Sequence, residues 1–175
     1  MAETPTERFE HLFRATYPAV RGYALRRTSA DGAQDAVAET FLVAWRRFDE
    51  VPEDALPWLF GVARRVLANQ RRASGRGEAL QERLTGAAQP ESLEEHVTES
   101  EAVRAALARL SERDREALML VAWHGLSGKR AARAAGCTRT AFDVRLYRAR
   151  RRLAALLEGL DPPVVATNAK SLETN

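Results

Sequence analysis

The sequence predicts an all-α protein, in which a flexible linker joins two small helical domains and the C-terminal one is a helix-turn-helix. The 175 residues include no isoleucine, and their apolar content depends on Ala and Leu, which are strong helix formers. Apolar residues recur at intervals of three and four in both halves, as they do in amphipathic helices. Between the halves, residues 73–98 are rich in Gly, Ser, Gln, Glu and Pro and poor in large apolar side chains. A stretch of this length and composition favours a linker between two domains.

The first domain, residues 1–72, is predicted to contain three helices. The first helix carries an apolar stripe and is expected to be interrupted or bent at Pro18. The second covers about residues 31–48 and has an inward stripe that includes Trp45. Residues 49–57 contain two prolines and four acidic residues, which indicates a loop before the third helix. That helix is expected to end with the domain.

The second domain, residues 99–160, is predicted to contain three or four helices. Ser111 is placed to cap one of them in a capping box, with Asp114 in place of the usual Glu. Ser127 is expected to cap a short helix that ends at Gly136. The polar tail at residues 161–175 is predicted to be disordered.

A short helix, a glycine turn and a longer basic helix form a helix-turn-helix pattern in this second domain. Ala132 is small where the helices cross, Gly136 suits the turn, and Phe142 fills the core between the helices. Thr138 is expected to cap the longer helix. In a major groove, the first turns of that helix would meet base edges and its later arginines would meet phosphates. The pattern therefore favours DNA binding, and its alternative is a helical hairpin with a basic exposed face.

The net charge of +3 conceals an uneven distribution. Residues 102–160 hold 13 basic and five acidic side chains, a net charge of +8, whereas residues 73–101 carry a net charge of −5. A basic module behind an acidic spacer is typical of a protein that binds a polyanion.

Several function classes are disfavoured by what the sequence lacks. Cys137 is the single cysteine, so the chain has no internal disulfide and suits a reducing compartment. No apolar run approaches the length of a membrane span, and the N-terminus has no secretory signal pattern, so a soluble cytoplasmic protein without membrane insertion is expected. We find no nucleotide-binding glycine loop, no Cys/His metal spacing and no nucleophile–base arrangement. The chain is therefore not expected to be an enzyme or to need a cofactor or a metal.

Several segments of the two halves carry a family resemblance. In the first half they are QDAVAETFLVAW at 34–45 and PWLFGVARR at 57–65, and in the second half they are LARLSERDRE at 107–116, GLS at 125–127 and LYRARRRL at 146–153. With these segments, both halves resemble one family, the extracytoplasmic-function (ECF) group of bacterial RNA polymerase sigma factors. The first half is similar to region 2 of that family and the second half to region 4, with the spacer in the expected place. The resemblance extends over about residues 7–158.

The resemblance implies that the chain directs promoter-specific transcription initiation by core RNA polymerase. Region 2 would dock on the clamp helices of the largest polymerase subunit, region 4 would contact the polymerase flap, and the acidic linker would thread the polymerase channel. The polymerase-binding residues would be Asp35, Glu39, Thr40, Val43 and Arg46, on the outward face of the second helix. The family is commonly held inactive by an anti-sigma factor, so the resemblance implies that partner as well.

The resemblance implies that region 2 recognises and melts the promoter −10 element. Melting requires cations beside groups that capture unstacked bases. The residues that the resemblance assigns to this task lie on one face of the third helix and are Arg64, Arg65, Asn69 and Arg72. The family usually has Asn at position 65 and Asp at position 69, so this chain departs from the pattern at two of these positions.

The last helix would recognise the −35 element. Asp143, Val144, Tyr147 and Arg148 would face the bases, whereas Arg139, Thr140 and Arg145 would lie nearer the DNA backbone. A basic or polar residue is commoner in the family at position 143. A carboxylate can accept a hydrogen bond from a cytosine amine. We therefore expect that Asp143 gives this chain a promoter preference that differs from the one commonest in the family.

Two other functions remain open on the sequence. The chain could be a stand-alone helix-turn-helix regulator whose first half dimerises or senses a ligand. It could also be a helical adaptor that binds polymerase without choosing promoters. A stand-alone regulator would bind duplex DNA tightly without polymerase, whereas a sigma factor would bind core polymerase and yield a promoter-specific transcript.

Overall fold

A computed structural model describes residues 4–81 and 101–158, with side chains described up to position 73 and from position 103. These residues form seven α-helices and one 3-10 helix, with no strand among them, which confirms the all-α fold class. The predicted tail at 161–175 and most of the predicted linker lie outside the described residues. The helices are α1 (Pro5–Leu25), α2 (Ala30–Arg46), α3 (Ala55–Gln81), α4 (Glu101–Ala108), α5 (Glu112–Ala122), α6 (Gly128–Ala135) and α7 (Arg139–Glu158), and the 3-10 helix is Phe48–Glu50.

Helix α1 begins with a reciprocal capping box. The Thr4 hydroxyl accepts a hydrogen bond from the Glu7 amide at 3.2 Å, and the Glu7 carboxylate accepts one from the Thr4 amide at 2.7 Å. The helix continues through Pro18, which is exposed, so the predicted interruption at this residue is wrong. Packing of the helix C-terminal to Pro18, where Val20 and Tyr23 are fully buried, outweighs the loss of one backbone hydrogen bond.

Helix α2 packs on α1 through the apolar stripe that the sequence predicted, with one correction. Val37, Phe41 and Ala44 are buried. Trp45 is 45% exposed and makes a T-shaped contact with Phe9 at a ring-centroid distance of 4.9 Å. Its predicted inward position is therefore wrong, because it lies at the margin of the stripe.

Helix α3 starts at Ala55, inside the predicted loop at 49–57, and it also ends later than predicted. Pro57 lies in its first turn, after a non-helical stretch at residues 51–54. The sequence placed the helix end near Arg72, whereas α3 continues to Gln81. Residues 78–81 are all strong helix formers, and they extend the helix past two glycines that would otherwise end it. The rest of the predicted linker, residues 82–98, lies outside the described residues.

In the second half, α4, α5 and α7 pack around a small apolar cluster of Leu107, Leu110, Leu118 and Ala149. The Ser111 hydroxyl caps α5 by accepting from the Asp114 amide at 3.2 Å, but the Asp114 carboxylate pairs with Arg152 of α7. Asp114 thus takes part in the α5 cap through its amide and links α5 to α7 through its carboxylate.

The helix-turn-helix forms as predicted except at one cap. Gly136 ends α6 in the left-handed conformation, with φ at +64°, and Thr138 caps α7 by accepting from the Ala141 amide at 3.2 Å. Phe142 is fully buried beneath the turn. Ser127 stands at the N-cap position of α6, but its hydroxyl makes no capping hydrogen bond, so its predicted capping role is wrong.

The two halves pack against each other, and one apolar core runs through both. Gly61 of α3 lies so close to α6 that a Cβ there would sit 3.8 and 3.9 Å from the carbonyl oxygens of Arg133 and Ala134. The facing alanines of α6, Ala131, Ala134 and Ala135, are buried. Small residues on both helices thus permit a close α3–α6 approach, which the sequence analysis did not anticipate.

A buried polar cluster lies in the same junction. The Tyr23 hydroxyl donates to a Glu116 carboxylate oxygen at 2.6 Å, which joins α1 to α5. The Arg27 guanidinium lies 3.5 Å from the centre of the Tyr23 ring and 3.7 Å from Glu116. Burial raises the pKa of the Tyr23 phenol above its ordinary value, which keeps the hydroxyl available as a donor.

Two exposed ion pairs close the rim of the junction. Arg130 of α6 makes a bidentate pair with Asp54, the residue before α3, at 2.8 and 2.9 Å. Arg71 of α3 pairs with Glu112 of α5. Exposed pairs each contribute little to stability, but both of these select one mutual orientation of the halves.

His124 occupies the aromatic part of the junction, with its ring centroid 4.6 Å from that of Phe60 and 5.7 Å from that of Tyr23. Burial, and the nearby guanidinium groups of Arg27 and Arg26, lower the pKa of His124 to about 4. The imidazole is therefore neutral in the folded chain at pH 7.

This lowered pKa predicts an acid-sensitive fold. In the unfolded chain His124 takes up a proton below about pH 6.5, whereas in the folded chain it does so only near pH 4. Its contribution to stability is therefore present above pH 6.5 and declines as the pH falls from 6.5 towards 4. We expect the free energy of unfolding, measured in urea, to fall less steeply over this range in His124→Phe than in the wild type.

The matched control is His11→Phe, because His11 is exposed. It should reproduce the wild-type dependence on pH. Parallel curves for His124→Phe and the wild type would contradict the assignment of this acid sensitivity to the junction.

Candidate nucleic-acid and partner interfaces

Helix α7 presents a basic, largely exposed face in the second half. All the residues that the sequence assigned to groove recognition lie in its first three turns: Arg139, Thr140, Asp143, Val144, Arg145, Tyr147 and Arg148. Only Arg145 among them is half-buried, with a guanidinium nitrogen 3.8 Å from the Cys137 sulfur. The structure therefore brings this predicted set together on one helix, whose opposite side packs in the core through Phe142 and Ala149.

Two large apolar side chains are exposed on this face. Val144 is 45% exposed and Tyr147 is 62% exposed. The Arg151 guanidinium lies 6.0 Å from the centre of the Tyr147 ring. Apolar groups beside cations suit a base edge, where a thymine methyl offers apolar contact.

A depression of about 600 Å³ separates the start of α5 from α7 and is rich in arginine. Arg113 of α5 joins Arg145, Arg148 and Arg152 of α7 around it. The N-terminus of α5 opens onto the same depression, so backbone amides and guanidinium groups both favour an anion such as a phosphate. Sequence reasoning missed Arg113, because only tertiary packing brings it beside α7.

Asp143 is held near a cation of its own helix. Its carboxylate lies 3.5 Å from the Arg139 guanidinium, one turn earlier. Both side chains are more than half exposed, so this pair is weak and either group can exchange its partner for DNA.

In the first half, an open groove of about 870 Å³ runs between α2 and α3. Leu42, Val62 and Val66 supply apolar lining. The lining also includes five residues that the sequence singled out: Asp35, Glu39 and Val43 from the predicted polymerase-binding set, and Arg65 and Asn69 from the predicted −10 set. Arg46 is exposed at the end of α2, outside this groove.

The structure differs from the prediction at Thr40, one of the five predicted polymerase-binding residues. It is fully buried, and its hydroxyl donates to the Ala36 carbonyl at 2.6 Å. Its predicted outward orientation is wrong because it follows Ala36 by one helical turn on the face that packs in the core.

The structure differs from the prediction at Arg64, one of the four residues assigned to the −10 element. Arg65, Asn69 and Arg72 are exposed, and Arg72 donates to the Asn69 side chain. Arg64 lies against the end of α6 instead, where a Cβ at Gly136 would collide with the Arg64 guanidinium. The four residues therefore do not share one face.

The comparisons with known proteins agree with both halves. The family model for sigma-70 region 2 matches residues 12–77, and the model for sigma-70 region 4 matches residues 100–153. The ECF RNA polymerase sigma factor EcfG of Rhodopseudomonas palustris (strain TIE-1) is 35% identical over 147 residues, which cover 82% of this chain and 81% of that protein. This chain belongs to the ECF sigma factors.

Further relatives support the assignment. The RNA polymerase sigma factor NccH of Alcaligenes xylosoxydans xylosoxydans is 31% identical over 159 residues, which cover 83% of this chain and 82% of that protein. The sigma factor RpoE of Bartonella quintana, solved in complex with the anti-sigma factor NepR, superimposes with a TM-score of 0.69 at 28% identity, over 88% of this chain and 98% of that one. CnrH, solved with the cytosolic domain of CnrY, shares the fold, with a TM-score of 0.61 at 24% identity over 86% of this chain and 88% of that one.

Membership of this family identifies the function. Sigma factors bind core RNA polymerase and promoter DNA and direct promoter-specific transcription initiation, so the function predicted from the sequence is confirmed. Because the region 2 match accounts for the first half, the alternative of a stand-alone regulator is not favoured.

Two further observations concern the described part of the chain. None of its helices combines the length and apolarity that a membrane crossing requires. Within residues 4–81 and 101–158, no three His, Cys, Asp or Glu side chains come close enough together to hold a metal ion.

Proposed function

We propose that this sigma factor uses two surfaces. The α2–α3 groove of region 2 binds polymerase and the −10 element, and the basic face of α7 in region 4 binds the −35 element. The observation that carries the proposal is the grouping of the predicted residues. Three predicted polymerase-binding residues and two predicted −10 residues line one groove, and the predicted −35 residues occupy one face of α7.

Polymerase binding is assigned to the α2 side of the groove, opposite the clamp helices of the largest polymerase subunit. Asp35, Glu39 and Arg46 are exposed and Val43 is half-buried, so charged groups surround an accessible apolar surface. Thr40 is left out of this surface because it is buried. Region 4 contacts the polymerase flap in this scheme.

Recognition of the −10 element is assigned to the α3 side of the same groove. Arg65 and Arg72 supply cations for the backbone of a separated strand, and Asn69 between them can pair with a base edge. Polymerase and the −10 strand would thus meet on adjacent helices, and promoter opening would occur beside the polymerase contact.

The −35 element is assigned to α7 in the major groove. Arg139, Thr140 and Arg145 contact the backbone, whereas Asp143, Val144, Tyr147 and Arg148 face the bases. Arg113 adds a phosphate contact from the arginine-rich depression, where Arg152 pairs with Asp114.

The remaining roles follow from the family. We infer that the chain acts in the cytoplasm as a non-catalytic subunit, with RNA synthesis performed by core polymerase. The complex of RpoE with NepR supports an anti-sigma factor as a partner of this chain as well.

Run-off transcription with purified core RNA polymerase tests the proposed function. The template is a library of promoter fragments from the source genome, and transcripts are identified by sequencing. We expect transcripts from a defined set of promoters only when the chain is added. No promoter-specific transcript together with no binding to core polymerase would refute the proposal.

Asp143→Lys is expected to change the −35 sequence that is selected. A carboxylate accepts a hydrogen bond from a cytosine amine, whereas an ammonium group donates to guanine. The measurement is selection of promoters from a library randomised at the −35 element, with the reconstituted holoenzyme. Glu158→Lys is the matched control, because it makes the same charge change at an exposed site near the end of α7. An unchanged −35 preference in Asp143→Lys would contradict the assignment.

Arg145→Ala is expected to weaken promoter binding and reduce its salt dependence, because Arg145 contacts the DNA backbone in this scheme. Loss of one phosphate-proximal cation lowers the slope of log affinity against log salt by about 0.9. The control is Arg150→Ala, which removes the same charge from an exposed position of α7 outside the arginine-rich depression. Affinity of the holoenzyme for labelled promoter duplex is measured across salt concentrations, and equal effects of the two variants would argue against a defined DNA face.

A further inference from the structure

The arginine-rich depression between the start of α5 and α7 has an unbalanced positive charge. Four arginines and one acidic residue line it, which gives a net charge of +3. The acidic residue, Asp114, already pairs with Arg152. Among the described residues, no carboxylate pairs with the other three guanidinium groups, which belong to Arg113, Arg145 and Arg148. Three cations therefore remain available to an external anion.

The hydroxyl groups of the depression add hydrogen-bond donors. Ser111 and Thr138 each accept from a backbone amide at 3.2 Å, so the hydroxyl hydrogen of each is left to donate. Thr140, which is exposed, adds a third hydroxyl. Because Ser111 and Thr138 cap α5 and α7, the amides of two helix starts also favour negative charge here. The donors thus reinforce the preference that the arginines establish.

The α2–α3 groove of region 2 differs from this depression in its charge. Its lining contains two carboxylates, Asp35 and Glu39, and two guanidinium groups, Arg47 and Arg65. These charges balance, so the groove does not favour an anion. The preference for an anion therefore belongs to the depression in region 4.

The concave shape of the depression suits a compact anion. Its volume of about 600 Å³ lies within the range of small-ligand sites, about 300–1,000 Å³. In a duplex, sugars separate successive phosphates, so the DNA backbone brings its charges to the depression one by one. In an oligophosphate, neighbouring phosphorus atoms share an oxygen, so several charges can enter together. Guanidinium groups bind such phosphate oxygens in pairs of hydrogen bonds.

We propose that this depression binds a chain of linked phosphates, either an inorganic oligophosphate or the phosphate chain of a nucleotide, and that its occupant competes with the −35 duplex. Competition follows because Arg145 and Arg148 line the depression and belong to the predicted −35 set. The competition rests on the proposed function, since it takes α7 to contact the −35 element. The binding itself depends only on the geometry of the depression.

The first test is isothermal titration calorimetry of the full chain with sodium tripolyphosphate, in a buffer without phosphate or divalent cations. We expect one tripolyphosphate per chain, bound at least about tenfold more tightly than orthophosphate, because linked phosphates reach several guanidinium groups at once. Adenosine triphosphate is the second titrant and separates the two sources. Tighter binding of tripolyphosphate identifies an inorganic chain as the ligand, tighter binding of adenosine triphosphate identifies a nucleotide, and equal affinity assigns recognition to the shared chain.

Arg113→Ala is expected to weaken tripolyphosphate binding about tenfold, because a charge-assisted hydrogen bond is lost. Arg113→Lys keeps the charge without the paired donors, so it should lie between Arg113→Ala and the wild type. The matched control is Arg150→Ala, which removes the same charge from an exposed position of α7 outside the depression and should bind within about twofold of the wild type. Arg148→Ala, also at an exposed lining position, replaces Arg113→Ala if that variant fails to fold.

Competition is measured as the affinity of the holoenzyme for labelled promoter duplex, with tripolyphosphate or with sodium chloride of equal ionic strength. At ten times its own Kd, a competing ligand raises the apparent Kd of the duplex about elevenfold. Tripolyphosphate should therefore weaken promoter binding well beyond the sodium chloride control, and it should do so less in Arg113→Ala.

Any of three results overturns the proposal. Tripolyphosphate would not bind the chain, Arg113→Ala and Arg150→Ala would weaken its binding equally, or promoter affinity would respond to tripolyphosphate only through ionic strength. The calorimetry uses the chain without polymerase or DNA, so it remains decisive about the site if the run-off assay yields no transcript and the proposed function itself fails.

Discussion

The close approach of α3 and α6 is the constraint on which the rest of the arrangement depends. A glycine on one helix and alanines on the other remove the side chains that would hold the axes apart. Once they are in contact, Phe60 stacks on Tyr23 at 4.7 Å and meets His124, and a single apolar core extends through both halves. The positions of Arg64 and of the helix-turn-helix relative to region 2 both follow from this packing.

The polar groups of the junction give the packing its specificity. A buried carboxylate is unfavourable unless it is hydrogen-bonded or paired, and the partners of Glu116 are the Tyr23 hydroxyl of α1 and the Arg27 guanidinium just after α1. Apolar surface alone would tolerate several orientations of α6 on α3. The Glu116 cluster and the Asp54–Arg130 pair favour one orientation.

Much of the local structure could be predicted from the sequence, because caps and turns depend on neighbouring residues. Gly136 and Thr138 mark the helix-turn-helix correctly. The orientations of Thr40 and Arg64 were predicted wrongly, since a polar residue on a helix does not reveal that a second helix covers it. Arg113 was missed for the converse reason, because it joins the α7 surface only through packing of α5.

The central claim is that region 2 and region 4 of one chain read different promoter elements at the same time. Site-specific photocrosslinking in the complex of this sigma factor, core polymerase and promoter tests it most directly. A photoreactive amino acid is placed at Arg72 on α3 or at Tyr147 on α7, and the crosslinked nucleotides are mapped. The account predicts crosslinks near −10 from position 72 and near −35 from position 147, about 25 base pairs or 85 Å apart. Crosslinks from both positions to the same element would contradict it.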